Sequence, residues 1–194
     1  MPRGPTRRSG VGASAIVERA RRGRPMSRLD SHIRQKIAQR DTIDLAAERL
    51  ADRPGVVLEF GLGQGRSYSH LMERFPHHEV VCFDRRDVTP PGWGPPPERL
   101  VLGELEEVLA DPAVRERFAG RVFLAHLDLG SGVLEDTRVH HLVAGRIHDW
   151  LEPGAWLLSD RPLTLDPDWR LRPLDTTNRV SHAERYFAYE RHLR

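Results

Sequence analysis

The sequence predicts an α/β domain whose doubly wound sheet is mostly parallel and closes with a C-terminal antiparallel hairpin. Three observations carry this reading. Short apolar runs rich in β-branched and aromatic residues alternate with helical stretches across residues 56–160. The first run, Val56-Val57-Leu58-Glu59-Phe60, passes directly into Gly61-Leu62-Gly63-Gln64-Gly65-Arg66-Ser67 and then a helical segment. Strand, glycine turn and helix in that order open a Rossmann-like nucleotide-binding unit. Successive runs also end in carboxylates, at Asp84, Glu104, Asp128 and Asp160.

Composition sets the limits. A chain of 194 residues fits one domain with a real core. No run approaches the ~18 apolar residues of a membrane span, and the N-terminus lacks the apolar centre of a signal peptide. The single cysteine, Cys82, falls in an expected core strand, which excludes a disulfide scaffold and points to a reducing cytoplasm. Arginine is used 29 times and lysine once, at Lys36, a bias read here as genome composition. Residues 1–25 hold seven arginines against one glutamate; the total is +2, so the remainder carries −4. A basic N-terminal arm, 1–25, is therefore expected ahead of a single domain, 26–194. The arm reads either as a contact for nucleic acid or membrane or as a disordered extension. Met26 is a plausible second start.

The elements follow in order. Leu29, Ile33 and Ile37 recur every four residues and predict a helix. Asp41 or Thr42 is placed to cap a second segment bearing Ala46, Ala47 and Leu50, which Pro54-Gly55 stops. Gln39, Arg40 and Asp41 fall at the break, where a side chain could reach a bound ligand, with surface salt bridging the favoured role. Ser67 is expected to cap the helix after the first strand. Residues 79–84 form the second strand, 88–98 a proline-rich loop around Trp93, and 99–104 the third strand. A short helix, 105–109, continues through 118 under an Asp111-Pro112 cap. Residues 122–128 are the fourth strand, closed by Leu129-Gly130-Ser131-Gly132. A helix over 136–151, a Pro153-Gly154 turn and a fifth strand, 155–160, follow. Alternating runs at 169–174 and 185–191 predict the closing hairpin.

The glycine spacing selects the ligand. Dinucleotide sites use G-x-G-x-x-G, and Arg66 stands where the third such glycine belongs. Glu59 adds a carboxylate before the turn, a poor neighbour for pyrophosphate and a good one for a cation. Asp84, 25 positions later at a strand end, suits both ribose hydroxyls.

Glu59-Phe60-Gly61-Leu62-Gly63-Gln64-Gly65, together with Asp84, resembles the first motif, E/D-x-G-x-G-x-G, of class I S-adenosylmethionine (SAM)-dependent methyltransferases. The resemblance spans roughly residues 42–192 and implies the class I methyltransferase fold. Met26-Ser27-Arg28-Leu29-Asp30, with Leu58–Gly63 and Leu127-Asp128-Leu129-Gly130-Ser131-Gly132, looks like a family of small bacterial SAM-dependent methyltransferases not defined by substrate. The implied cofactor is S-adenosyl-L-methionine, held by Glu59, Phe60, Gly61, Gly63, Gly65, Asp84, Gly103, Glu104 and Asp128. Glu104 stands where the class often has aspartate. The implied strand order turns the end of the fourth strand toward the methyl group, making Asp128 the candidate general base with His126 behind it. A hydrogen-bonded core residue is the alternative reading of His126. Asp128 and Asp160 resemble magnesium-dependent catechol O-methyltransferases, but Arg161 stands where that family has an asparagine ligand. No metal is expected, since a guanidinium repels a dication; an anionic substrate group near Arg161 is.

The expected function is methyl transfer from SAM to an O or N atom of a small-molecule acceptor. The absence of Asn-Pro-Pro-Tyr after the fourth strand disfavours DNA-base chemistry, so nucleic acid is the less favoured partner. A homo-oligomer is compatible with the sequence. Two alternatives remain: a nicotinamide oxidoreductase, opposed by Arg66 and by the lack of a Tyr-x-x-x-Lys pair, and a non-catalytic SAM-binding protein associated with RNA through the arm.

Overall fold

The computed structural model describes residues 26–130 and 136–192. The basic arm, 1–25, and the Ser131-Gly132 end of the fourth-strand loop lie outside the described residues. Residues 26–33 stand by themselves as the opening of helix α1 (Arg28–Leu50). Ser27 Oγ accepts from the Asp30 N–H at 3.0 Å and donates to the Asp30 carboxylate at 2.8 Å, a capping arrangement. The remaining description concerns residues 34–192.

Strand β1 (Val56–Phe60) is buried at all five positions, as a parallel strand covered on both faces must be. On one side it pairs with β2 (Glu79–Asp84), which pairs with β3 (Leu100–Leu102); on the other lie β4 (Val122–Leu127) and β5 (Leu151–Ser159). These five strands are parallel. Strands β6 (Leu171–Pro173) and β7 (Phe187–Arg191) close the sheet, β7 running antiparallel to both β5 and β6. The order is β3-β2-β1-β4-β5-β7-β6. The strand order therefore reverses between β1 and β4, the place where an open parallel sheet leaves a crevice beyond its carboxyl ends.

Two cores explain the layers. Val56, Leu58, Phe60 and Phe83 pack with Phe118 and Trp150 on one face, with α4 (Pro112–Phe118) and α5 (Asp136–Ile147). Phe60 stacks on Phe83 with centroids 4.7 Å apart, and truncating Phe60 to alanine would cost about 3–5 kcal/mol. Val57, Cys82 and Leu158 pack on the other face with Ile43 of α1, Leu71 of α2 (Arg66–Arg74) and Tyr186. Alternation along β1 sends Glu59 to this second face, toward α1.

Three local expectations change. Helix α1 runs unbroken through 39–41. Thr42 is fully buried and returns its Oγ1 to the Ala38 carbonyl at 2.7 Å instead of capping a new segment. Strand β5 starts at Leu151, not 155: Leu151 pairs with Val122 and Trp156 with Leu124, so Pro153-Gly154 sits in a bulge inside the strand. Ser67 does not cap α2. Gly65 does, in a left-handed conformation with φ 76°. The other strand and helix assignments hold to within a few residues, with α3 (Leu105–Val108) the short helix after β3.

Candidate active site

The glycine turn joins β1 to α2, and its three glycines serve different ends. A Cβ on Gly61 (φ +92°) would stand 2.3 Å from the Asp128 carbonyl oxygen, and one on Gly65 would stand 2.7 Å from the Trp93 carbonyl oxygen. Both are needed for close backbone approach within the protein. Gly63 (φ +48°) faces open space, with nothing within 4 Å of the Cβ position. Its N–H donates to Asp84 Oδ2 at 2.9 Å, which fixes that carboxylate at the rim of the opening. The side of the turn facing the crevice is thus bare backbone beside an ordered carboxylate.

Behind the turn lies a buried polar chain. Ser67, in the first turn of α2, donates its hydroxyl to Glu59 Oε1 at 2.5 Å. Glu59 Oε2 lies 2.5 Å from His126 Nδ1, both side chains having no exposed surface. His126 Nε2 is 2.6 Å from the Tyr186 hydroxyl, whose ring stacks on the imidazole. Burial favours the neutral ring, but the Glu59 carboxylate outweighs it, with Asp128 and Asp160 adding, and raises the His126 pKa. A protonated ring would donate to both Glu59 and Tyr186, and the Tyr186 hydroxyl donates to the Leu127 carbonyl at 3.2 Å. Burial, reinforced by Asp128, Asp160 and Glu59, pushes the Tyr186 pKa well up, so it remains a phenol.

At the end of β4 the chain reaches the crevice. Gln39 Nε2 and Lys36 Nζ, both from α1, each donate to Asp128 Oδ2 at 2.8 Å. Lys36 Nζ also donates to Gln39 Oε1 at 2.8 Å, which fixes the amide orientation. Burial alone would raise the Asp128 pKa; Lys36 and His126 overcome it, and the net shift is downward. The Asp128 N–H donates to the Phe60 carbonyl at 3.0 Å, so this carboxylate is tied to the start of the glycine turn.

A second buried pair closes β5. His140 Nε2 of α5 lies 2.5 Å from Asp160 Oδ1, while Asp160 Oδ2 has no hydrogen-bond partner among the described residues and stands 3.8 Å from Arg161 Nε. Asp160 follows β5 beside Asp128, its N–H donating to Leu127 O at 3.1 Å. No group of three or more histidine, cysteine, aspartate and glutamate side chains among the described residues is placed to hold a metal.

Two of the residues expected to hold the ligand lie elsewhere. Glu59 is inside the sheet with both oxygens engaged, because strand alternation turns it under α1. Its influence on the crevice passes through Ser67 and His126. Phe60 points into the opposite core, leaving only its backbone at the turn. His126 is likewise fully buried and acts on Asp128 from behind. Gly61, Gly63, Gly65, Asp84 and Asp128 do converge on the crevice. Gly103 donates its N–H to the Asp84 carbonyl at 3.0 Å, and exposed Glu104 precedes α3. Trp93, in the proline-rich loop, is 60 % exposed. Sequence reasoning missed Lys36 and Tyr186 and favoured a surface role for Gln39 over a reach toward the ligand. The one available signal was a lone lysine in a chain that otherwise uses arginine.

Comparison with known proteins settles the family. The S-adenosyl-L-methionine methyltransferase family matches residues 26–191. A crystal structure of an S-adenosyl-L-methionine methyl transferase from Silicibacter pomeroyi DSS-3 is 32% identical, with a TM-score of 0.78 over 86% of this chain and 99% of that one. The chain belongs to the S-adenosyl-L-methionine methyltransferase family. S-adenosyl-L-methionine is the cofactor of this methyltransferase, and the fold is that of class I. The 1,6-didemethyltoxoflavin-N1-methyltransferase of Burkholderia thailandensis, solved with 1,6-didemethyltoxoflavin and S-adenosylhomocysteine, is 17% identical, with a TM-score of 0.51 over 99% of this chain and 94% of that one. At that identity it speaks for the fold of the methyltransferase alone. No curated protein matches the chain. No helix among the described residues is long and apolar enough to cross a membrane.

Proposed function

We propose that this methyltransferase transfers the methyl group of SAM to an oxygen or nitrogen atom of a small-molecule acceptor bound at the end of β4. The observation that carries the reading is Asp128, an ionised carboxylate tethered through its backbone to the glycine turn and through its side chain to Lys36 and Gln39. The residues present fit the cofactor. The open side of Gly63 admits a ligand against bare backbone, and Asp84 beside it presents carboxylate oxygens to ribose hydroxyls. Gly61 and Gly65 shape the turn, and Gly103 with Glu104 flanks it beyond β2. SAM supplies a methyl group already activated by its sulfonium, so the protein's task is positioning.

Within that task Asp128 orients the acceptor. A carboxylate held below its usual pKa is a weak base, and its part is to accept a hydrogen bond from the acceptor or to offset charge developing on a nucleophilic nitrogen. His126, Glu59 and Tyr186 keep Asp128 and α2 in register from behind. The family match begins at Met26, which supports reading residues 1–25 as an appendage to the methyltransferase unit. Titration calorimetry with S-adenosylhomocysteine tests the cofactor site, and methyl-labelled SAM with a panel of small acids, phenols and amines tests the chemistry. No heat with S-adenosylhomocysteine on folded protein would overturn the site. Label transferred to RNA and to none of the panel would overturn the small-molecule acceptor.

A further inference from the structure

Lys36 is the only lysine among 30 basic residues, and the structure places it at the mouth of the site. Its ammonium hydrogen-bonds Asp128 Oδ2 and Gln39 Oε1, each at 2.8 Å. An ammonium has three donors, so one N–H remains uncommitted among the described residues. The Lys36 side chain is 39% exposed and that of Asp128 is 19%, so the lysine is the more open member of the pair. Gln39 Nε2 donates to Asp128 at 2.8 Å and to the Tyr186 hydroxyl at 3.5 Å, which ties both residues to the buried chain of His126, Glu59 and Ser67. The ammonium that carries the third N–H is consequently held by a rigid support rather than on a waving surface side chain.

We propose that Lys36 is the specificity-determining contact for the acceptor, donating its third hydrogen bond to an anionic oxygen of a small organic acid. The inference rests on the proposed acceptor position at the end of β4. Two observations decide against a cationic acceptor. Lys36 offers an incoming molecule more side-chain surface than Asp128 does. On the neighbouring strand end, Arg161 also lies outward of its carboxylate, with side-chain exposures of 35% and 1%, and its guanidinium makes no hydrogen bond within 3.5 Å of a described residue. At both strand ends the basic partner is thus the more exposed member of the pair. The use of lysine in an arginine-rich chain fits this role. A tetrahedral ammonium can divide its donors among Asp128, Gln39 and a ligand, whereas a planar guanidinium fork would pair with Asp128 alone.

A lone lysine allows a test on the unaltered protein. Amine acylation followed by peptide mass spectrometry reads Lys36 directly, with the chain's α-amino group as internal reference. With S-adenosylhomocysteine bound, saturating benzoate should slow Lys36 acylation about fivefold or more, while benzamide and benzylamine should leave it unchanged. In binding measurements on the same complex, benzoate should exceed benzamide by about tenfold, and Lys36→Met should abolish that preference without restoration by Lys36→Arg. S-adenosylhomocysteine affinity and the melting midpoint report separately on the cofactor site and the fold. Benzylamine binding as well as benzoate, or benzoate failing to protect Lys36, would overturn the proposal while the cofactor reading stands. Loss of S-adenosylhomocysteine binding by the unaltered protein would instead remove the reading beneath it. If Lys36→Met does not fold, the acylation result decides.

Discussion

Replacing His126 with leucine tests the buried chain that supports the site. The imidazole is fully buried, and its removal leaves the Glu59 carboxylate, equally buried, with Ser67 as its only partner. An unpaired charge in that position costs about 3–5 kcal/mol, because desolvation is no longer offset by the opposite charge. In a protein of this length each kcal/mol lowers the melting midpoint by about 2–4 °C, so His126→Leu should melt roughly 6–20 °C below wild type. Glu59→Gln is milder. It keeps the shape and an acceptor for His126, and the ring sheds its proton when the carboxylate is gone, for a cost of about 1–2 kcal/mol. In the Glu59→Gln background the leucine no longer strands a charge. The double variant should therefore be more stable than the summed single effects by at least about 1 kcal/mol. Thermal and urea unfolding followed by circular dichroism read all three. If His126→Leu costs under about 1 kcal/mol, or if the two changes simply add, Glu59 and His126 are not an ion pair in the folded protein.

Three further outcomes follow from the geometry. Asp84→Ala should weaken S-adenosylhomocysteine binding by about 1–3 kcal/mol, roughly 5- to 150-fold by calorimetry, and an unchanged affinity would place the ribose elsewhere. The motif glycines should separate. Gly61→Ala drives a Cβ into the Asp128 carbonyl and should unfold or strongly destabilise the chain, whereas Gly63→Val should fold with about 1–2 kcal/mol of backbone strain and lose the ligand. Equal thermal damage from the two would refute that division. The pH profile of stability should fall on both sides. His126, its pKa raised by Glu59, stabilises fully below about 6.5 and loses that contribution as pH rises through its higher folded value. Asp128, its pKa lowered by Lys36, stabilises above about 3.9 and loses that contribution as pH falls through its folded value. Urea midpoints across pH measure both limbs, and Lys36→Met should flatten the acid one.

The sequence by itself determined the sheet and its edge. Apolar runs of five or six residues, a glycine turn with unmistakable spacing and carboxylates closing the strands are local signals, and strand period and backbone conformation read them without reference to distant residues. Gly61, Gly63, Gly65, Asp84 and Asp128 were legible for that reason. What only the tertiary structure decided is which polar side chains face inward and whom they meet. Glu59 looks like a ligand contact in the motif. It becomes an interior support because period-two alternation turns it under α1, where His126 comes from a strand 67 positions later. Lys36 and Gln39 carry no local mark, since pairing with Asp128 across about 90 residues is a property of packing. The Pro153-Gly154 bulge has the same origin. Those two residues spell a turn, and the hydrogen-bonding demand of β4 on one side overrides them within a continuous strand.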